Sequence, residues 1–270
     1  MTIFFQSTPG KIAYSDNQTG SEILILMHGL PTAKEIFSPV IPHLNPAYRV
    51  ITFDLNDYGQ SGKINRHISH QARADVLDEL RRHLKIEAFN LIAHDLGASV
   101  AIDYMGQYAQ HVKKLALLSP PVYPDFKEPF LVKLVRIPRL GETLLWLAGS
   151  LILNIGIKRG MVHKNRFTPE LQQAIGGSFS GPTGRAALLR ILRWGRPHLV
   201  FKNYPQIIKS IDVPTLVMQG RQDPYIPDGQ VLRLAQDIEE SKLVFIEDGG
   251  HFLPMDTPEQ VAREINGFIG

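Results

Sequence analysis

Residues 91–101 read LIAHDLGASVA. An apolar run ends in an aspartate, Asp95, and small residues follow. Phe89 to Ala93 shows no polar alternation, as in a strand buried on both faces of a parallel sheet. A helix is expected from about Gly97. A side chain at so sharp a strand-to-helix turn projects over the carboxyl edge of the sheet, where open parallel sheets bind ligands. Ala93-His94-Asp95-Leu96-Gly97 fits the small-x-nucleophile-x-Gly pattern of a nucleophile elbow, with Ala93 in place of the usual first Gly and Asp95 where Ser is commonest.

The chain around it supports a parallel sheet. Apolar runs recur at 23–27, 49–53, 113–119, 214–220 and 242–248. Helical spacing of apolar residues separates them at 70–85, 228–240 and 257–269, the last with Thr257 as expected N-cap, Pro258 at the first helical position and Glu259 in the first turn. Two further strands near 3–7 and 11–15 are close enough to form an antiparallel start. The expected fold class is α/β, a mostly parallel eight-stranded sheet with helices on both faces. The alternation stops at SPPVYP, and 121–209 looks helical throughout. This segment holds 14 Lys/Arg against 4 Asp/Glu, a balance of +10, while the rest of the chain carries −7. Such asymmetry marks a separate unit. The expected organisation is therefore a core of 1–120 and 210–270 with a helical cap of 121–209. Within the cap, 143–157 is uncharged, short for a comfortable membrane span, and is expected to be a buried or pocket-lining helix.

Composition narrows the chemistry. The chain has 270 residues, 44 % hydrophobic and 20 % charged, within the range of soluble globular proteins. It has no cysteine, which excludes thiol nucleophiles, disulfides and Cys-based metal sites. No phosphate loop or dinucleotide fingerprint follows any strand, no cofactor is called for, and the basic cap carries no nucleic-acid motif. His67-x-x-His70 has no third ligand at metal spacing and reads as a solvated loop. The N-terminal stretch lacks a basic region followed by an apolar one, so a cytoplasmic protein is expected.

Partners for Asp95 stand at later strand ends. GRQDPYIP follows the fifth central run and places Asp223; EDGGHFLP follows the sixth and places His251 in a Gly-rich loop. The chain order nucleophile, acid, histidine, together with HGLP after the first central run, resembles the α/β-hydrolase superfamily over the whole length. The resemblance implies backbone N–H groups of Leu30 and Leu96 as an oxyanion hole. DLNDYGQSG, with Asp54, Gly59 and Ser61, resembles the family's structural loop after that strand.

Aspartate at the elbow resembles the branch containing epoxide hydrolases and dehalogenases. A carboxylate is ionised at neutral pH and needs no base to attack a saturated carbon, giving an alkyl–enzyme ester. His251, oriented by Asp223, would then activate a water against that ester. In epoxide hydrolases two cap tyrosines protonate the leaving oxygen. Tyr204 matches the place of one, and Tyr123 is the only other candidate from the cap side. The haloalkane dehalogenases have a Trp after the nucleophile, where Leu96 stands; the haloacid branch has arginines where Leu96 and Ser99 stand. HGLP fits the pattern common in epoxide hydrolases. The sequence thus points first to epoxide hydrolysis, with dehalogenation as the alternative and a hydrolase-fold receptor with little turnover as the alternative of another class. His28, Trp146 and Tyr123 are expected to contact a small apolar or amphiphilic substrate, and Phe130 to pack in the cap or line the pocket. The basic cap could also rest on an anionic membrane surface.

Overall fold

In the computed structural model, which describes residues 1–270, eight strands form one sheet. They are β1 (Ile3–Gln6), β2 (Lys11–Asp16), β3 (Glu22–Met27), β4 (Tyr48–Phe53), β5 (Phe89–His94), β6 (Val112–Leu118), β7 (Thr215–Gly220) and β8 (Ser241–Ile246). Their order across the sheet is β1-β2-β4-β3-β5-β6-β7-β8. β2 runs antiparallel to β1 and β4, and every other pairing is parallel. This order, with β2 antiparallel near one edge, is the α/β-hydrolase fold that the resemblance implies, and β5 and β7 are buried at every position, so neither face of the central sheet tolerates a polar alternation.

Helices cover both faces. α1 (His70–His83) and α2 (Leu96–Tyr108) pack together on one side, where Leu77, Leu80, Val100 and Ile102 join Leu91 in one core. On the other side Leu24, Leu26 and Ile92 meet Val261 and Ile265 of the C-terminal helix. Each fully buried Leu or Ile contributes about 1.5–3 kcal/mol, so the two layers fix the sheet that carries the elbow. Thr257 precedes the last helix, but its hydroxyl makes no cap bond. A short helical turn ends just before it, and the hydroxyl donates back to the Leu253 carbonyl, 3.5 Å away.

Between β6 and β7 the chain is helical: α3 (Phe130–Arg136), α4 (Leu140–Arg159), α5 (Pro169–Gly176), α6 (Gly181–Trp194), α7 (Pro197–Val200) and α8 (Tyr204–Lys209). α9 (Asp228–Asp237) follows β7; α10 (Leu253–Asp256) and α11 (Pro258–Ile269) follow β8. α4 is interrupted at Ala148, whose φ/ψ of −141°/19° lies outside the helical region. Only part of 143–157 matches the expectation of burial or pocket lining. Leu145 is buried, and Ile152, Leu153 and Ile155 face a cavity. Trp146, Leu147 and Leu151 point to solvent. A helix apolar all round does not encode which face its neighbours will cover; here α3 and α6 decide it.

Candidate active site

Asp95 sits between β5 and α2 with φ +50°, ψ −123°. Strand and helix cross so closely here that a Cβ on Gly97 would lie 2.5 Å from the His28 carbonyl oxygen. Likewise a Cβ on Gly29 would lie 2.6 Å from the Asp95 Cβ. Glycine at both positions lets the His28-Gly29-Leu30-Pro31 loop close over the carboxylate. The Leu30 N–H then donates to Asp95 Oδ2 at 2.7 Å. The Leu96 N–H opens α2 and, like every first N–H of a helix, has no intrahelical partner.

The other carboxylate oxygen faces the histidine. Asp95 Oδ1 lies 3.5 Å from His251 Nε2, and His251 Nδ1 lies 2.8 Å from Asp223 Oδ2. Asp223 is held in turn by the N–H groups of Tyr225 (2.7 Å) and Ile226 (3.0 Å). Burial opposes its ionisation, but the His251 charge and these donors outweigh it and hold its pKa below the ordinary value. Burial alone would lower the pKa of His251; the carboxylates of Asp223 and Asp95 overcome that and raise it to about 10. At neutral pH His251 is therefore an imidazolium between two carboxylates. Its pKa reports the cluster rather than an isolated ring.

The histidine loop has anchors that the sequence alone did not reveal. Asp256, fully buried, accepts from the N–H groups of Gly250 (2.7 Å), Val162 (2.9 Å) and His163 (2.7 Å), and so ties the loop to the end of α4. The His251 N–H donates to the Gly160 carbonyl at 2.7 Å. Its own carbonyl accepts from His94 Nε2 (2.9 Å) and Ser119 Oγ (3.1 Å). Burial, then the neighbouring His251 charge, lowers the His94 pKa to about 4, so it serves as a neutral donor.

A cavity of about 400 Å³ lies between the strand ends and the helices above. Asp95, Leu96, Leu30, His251 and Tyr225 form its floor, and its walls are mostly apolar, among them Val135, Leu145, Leu188 and Phe201. Several expected substrate contacts lie elsewhere. His28 is wholly buried beneath the Gly29–Pro31 loop: its Nδ1 contacts the Gly29 carbonyl at 3.0 Å and its Nε2 accepts from the Leu55 N–H at 3.1 Å. Burial lowers its pKa to about 4, and it is a structural residue. Tyr123 is buried away from the cavity and donates to Asp237 at 2.7 Å. Trp146 is on the outer surface, because its side of α4 has no helix packed against it. Phe130 does line the cavity.

Tyr204 is also outside the cavity. Its hydroxyl donates to Asp103 of α2 at 2.5 Å and contacts His70 Nδ1 at 3.2 Å. Packing of α8 on α2 directs it there. The histidine, read from sequence as part of a solvated loop, is the one that lines the cavity; burial lowers its pKa to about 3 and keeps it neutral. His67, its neighbour in the sequence pair, stacks on Trp194 with ring centroids 4.4 Å apart. No group of three or more His, Cys, Asp or Glu side chains is placed to hold a metal ion.

The model of the alpha/beta hydrolase fold family matches residues 22–141 and 170–258, and the chain belongs to that family. The uncharacterized hydrolase YugF of Bacillus subtilis (strain 168) is 26 % identical over 253 residues, covering 93 % of this chain and 90 % of its own. A haloalkane dehalogenase of Mesorhizobium japonicum is 22 % identical over 286 residues, covering 96 % of this chain and 87 % of its own. The crystal structure of the haloalkane dehalogenase DbeA from Bradyrhizobium elkani superposes with a TM-score of 0.87 at 22 % identity, covering 100 % of this chain and 97 % of that one.

The titrations set a pH dependence of stability. His251 has a folded pKa raised above its unfolded value of 6.5, so its contribution is complete below about pH 6.5 and is lost as pH rises toward 10. His28, His70 and His94 have lowered folded pKa values, so their contribution is present above pH 6.5 and is lost as pH falls below it. Thermal midpoints should therefore fall on both sides of neutrality. His251→Gln should flatten the alkaline side; an unchanged alkaline slope in that variant would mean the imidazolium is not held by the two carboxylates.

Proposed function

We propose that the protein is a hydrolase that works through an alkyl ester of Asp95, on substrates whose leaving group departs as an anion without needing a proton. One observation carries this reading. Asp95 rests with Oδ2 on the Leu30 N–H and Oδ1 turned to His251, above an apolar cavity. Oδ1 is the attacking oxygen: it forms the C–O bond as the carbon–leaving-group bond breaks, and the electron pair leaves with the anion. Oδ2 becomes the ester carbonyl oxygen, already on the donor that stabilises the negative charge of the second step. Esterification also removes one of the two charges that keep His251 protonated. The imidazolium loses its proton to solvent, and the neutral ring takes a proton from the water attacking Cγ. The tetrahedral adduct then expels the alcohol, which receives that proton from His251, and the carboxylic acid left on Asp95 gives its proton to His251, restoring the carboxylate and the imidazolium.

The leaving group is where the reading departs from the epoxide hydrolysis that the sequence favours. An epoxide oxygen leaves as an alkoxide and requires an acid. Tyr204 is bonded to Asp103 outside the cavity, and Tyr225, the tyrosine on the cavity floor, donates to the Gly156 carbonyl at 2.6 Å. A halide needs no such donor. The Mesorhizobium relative, a haloalkane dehalogenase, supports that choice.

The test is a comparison of bromide release from 1-bromooctane with ring opening of styrene oxide, in the wild type and in Tyr204→Phe. Bromide release should dominate. Tyr204→Phe should leave the ratio of the two rates unchanged while lowering stability by about 1–3 kcal/mol, because Asp103 loses its donor. Faster epoxide opening, slowed in Tyr204→Phe by roughly 10²–10⁴-fold as for a lost general acid, would restore the epoxide reading.

A further inference from the structure

The helices over the sheet carry an apolar surface that nothing in the protein covers. Leu151 and Ile155, four apart in α4 after the break at Ala148, share one helix face, and Leu147, just before the break, is exposed like them. Trp146 adjoins them, and Phe130 opens α3, which packs on α4. These five side chains range from 56 % exposed at Ile155 to 73 % at Phe130. The opposite face of α4, with Gly141, Leu145 and Gly149, is buried. Isolated exposed apolar residues are ordinary, but several large ones on one face mark an interaction surface.

The unpaired charges along and beside α3 and α4 are of one sign. Arg139 precedes α4, Lys158 and Arg159 end it, and Lys127 and Lys133 lie before and on α3. None of these five is in an ion pair, whereas the neighbouring acids Glu128 and Glu142 are already paired with Arg136 and Arg193. Phe130, Ile155 and Arg159 belong both to this surface and to the wall of the cavity above Asp95, so the cavity reaches the same face.

We propose that the α3–α4 face docks on an anionic lipid surface, with the exposed Leu147, Leu151 and Ile155 at the acyl boundary and the flanking cations among the headgroups. An apolar helix face edged by Lys and Arg binds in this way, through apolar burial together with attraction to anionic lipid. α4 lies on the surface rather than crossing it, since its other face is packed against the protein and its backbone is broken at Ala148. A second copy is disfavoured as the occupant, because a two-fold contact through this face would bring two sets of unpaired cations together. Docked in this way, the cavity opens toward the bilayer and admits long-chain apolar substrates. That last clause rests on the alkyl-ester reading; the docking does not.

Cosedimentation with phosphatidylglycerol and with phosphatidylcholine vesicles tests the proposal, using Asp95→Asn protein so that no chemistry intervenes. Binding to phosphatidylglycerol is expected at low salt and should weaken by about tenfold or more in 0.5 M salt. Leu147→Glu/Leu151→Glu should abolish it. Lys133→Glu/Lys158→Glu should reduce it selectively on the anionic vesicles. All four positions are exposed, and thermal melts will verify that the variants fold. Absence of binding to phosphatidylglycerol at low salt would overturn the proposal, as would binding indifferent to both double variants. A dimer in sedimentation equilibrium that Leu151→Glu dissociates would assign the face to a second copy instead.

Discussion

Asp95→Asn should lose turnover by about 10⁶-fold, the scale of deleting a covalent nucleophile. Asparagine is chosen because it keeps the shape of the side chain and can still accept from the Leu30 N–H. It also tolerates a positive φ better than most residues, and position 95 has φ +50°. The variant should remain folded. It should also shift a second observable: with one carboxylate fewer beside it, His251 should titrate below the value of about 10 that it has in the wild type. NMR titration of the His251 ring would show this. A variant retaining a hundredth of the wild-type rate would mean that water attacks the substrate directly and that Asp95 only orients it.

His251→Gln should separate the two steps. The carboxylate needs no base for the first step, so the variant should release one equivalent of bromide per protein in a burst and then stop. Ester hydrolysis should fall by roughly 10²–10⁴-fold, as for loss of a general base. A serine nucleophile would behave differently, because its histidine is needed for the first attack as well. Loss of the burst along with turnover would show that His251 also supports the alkylation step, and the order of events proposed for Oδ1 and Oδ2 would have to be revised.

The sheet and the elbow could be read from sequence because both are local. Phe89–His94 is mostly apolar and buried at every position because the strand has neighbours on both faces. Asp95 and Gly97 stand where a sharp turn needs a positive φ and a residue without a Cβ. Asp223 and His251 could be placed because each follows a strand directly, and strands of a parallel sheet end on the same edge. The helical segment gave much less. Tyr204 and Tyr123 are each followed by ordinary helix or turn sequence, and nothing near them encodes that their hydroxyls will meet Asp103 and Asp237 across the fold. His70 looked like half of a loop pair, yet the Tyr204 hydroxyl of α8 meets its ring and it lines the cavity beside Ile191 of α6. The uncharged stretch of α4 was visible, but its exposed face was not. Hydrophobicity all round a helix is silent about which side remains uncovered, and tertiary packing supplies that information.

The central claim is the ester on Asp95, and a single turnover in ¹⁸O water tests it most directly. With enzyme in excess over 1-bromooctane, the alcohol should carry oxygen from Asp95 and be unlabelled. The label should appear instead in the carboxylate of the peptide containing Asp95, because water attacks Cγ. Alcohol labelled in that first turnover, with the Asp95 peptide unlabelled, would contradict the account.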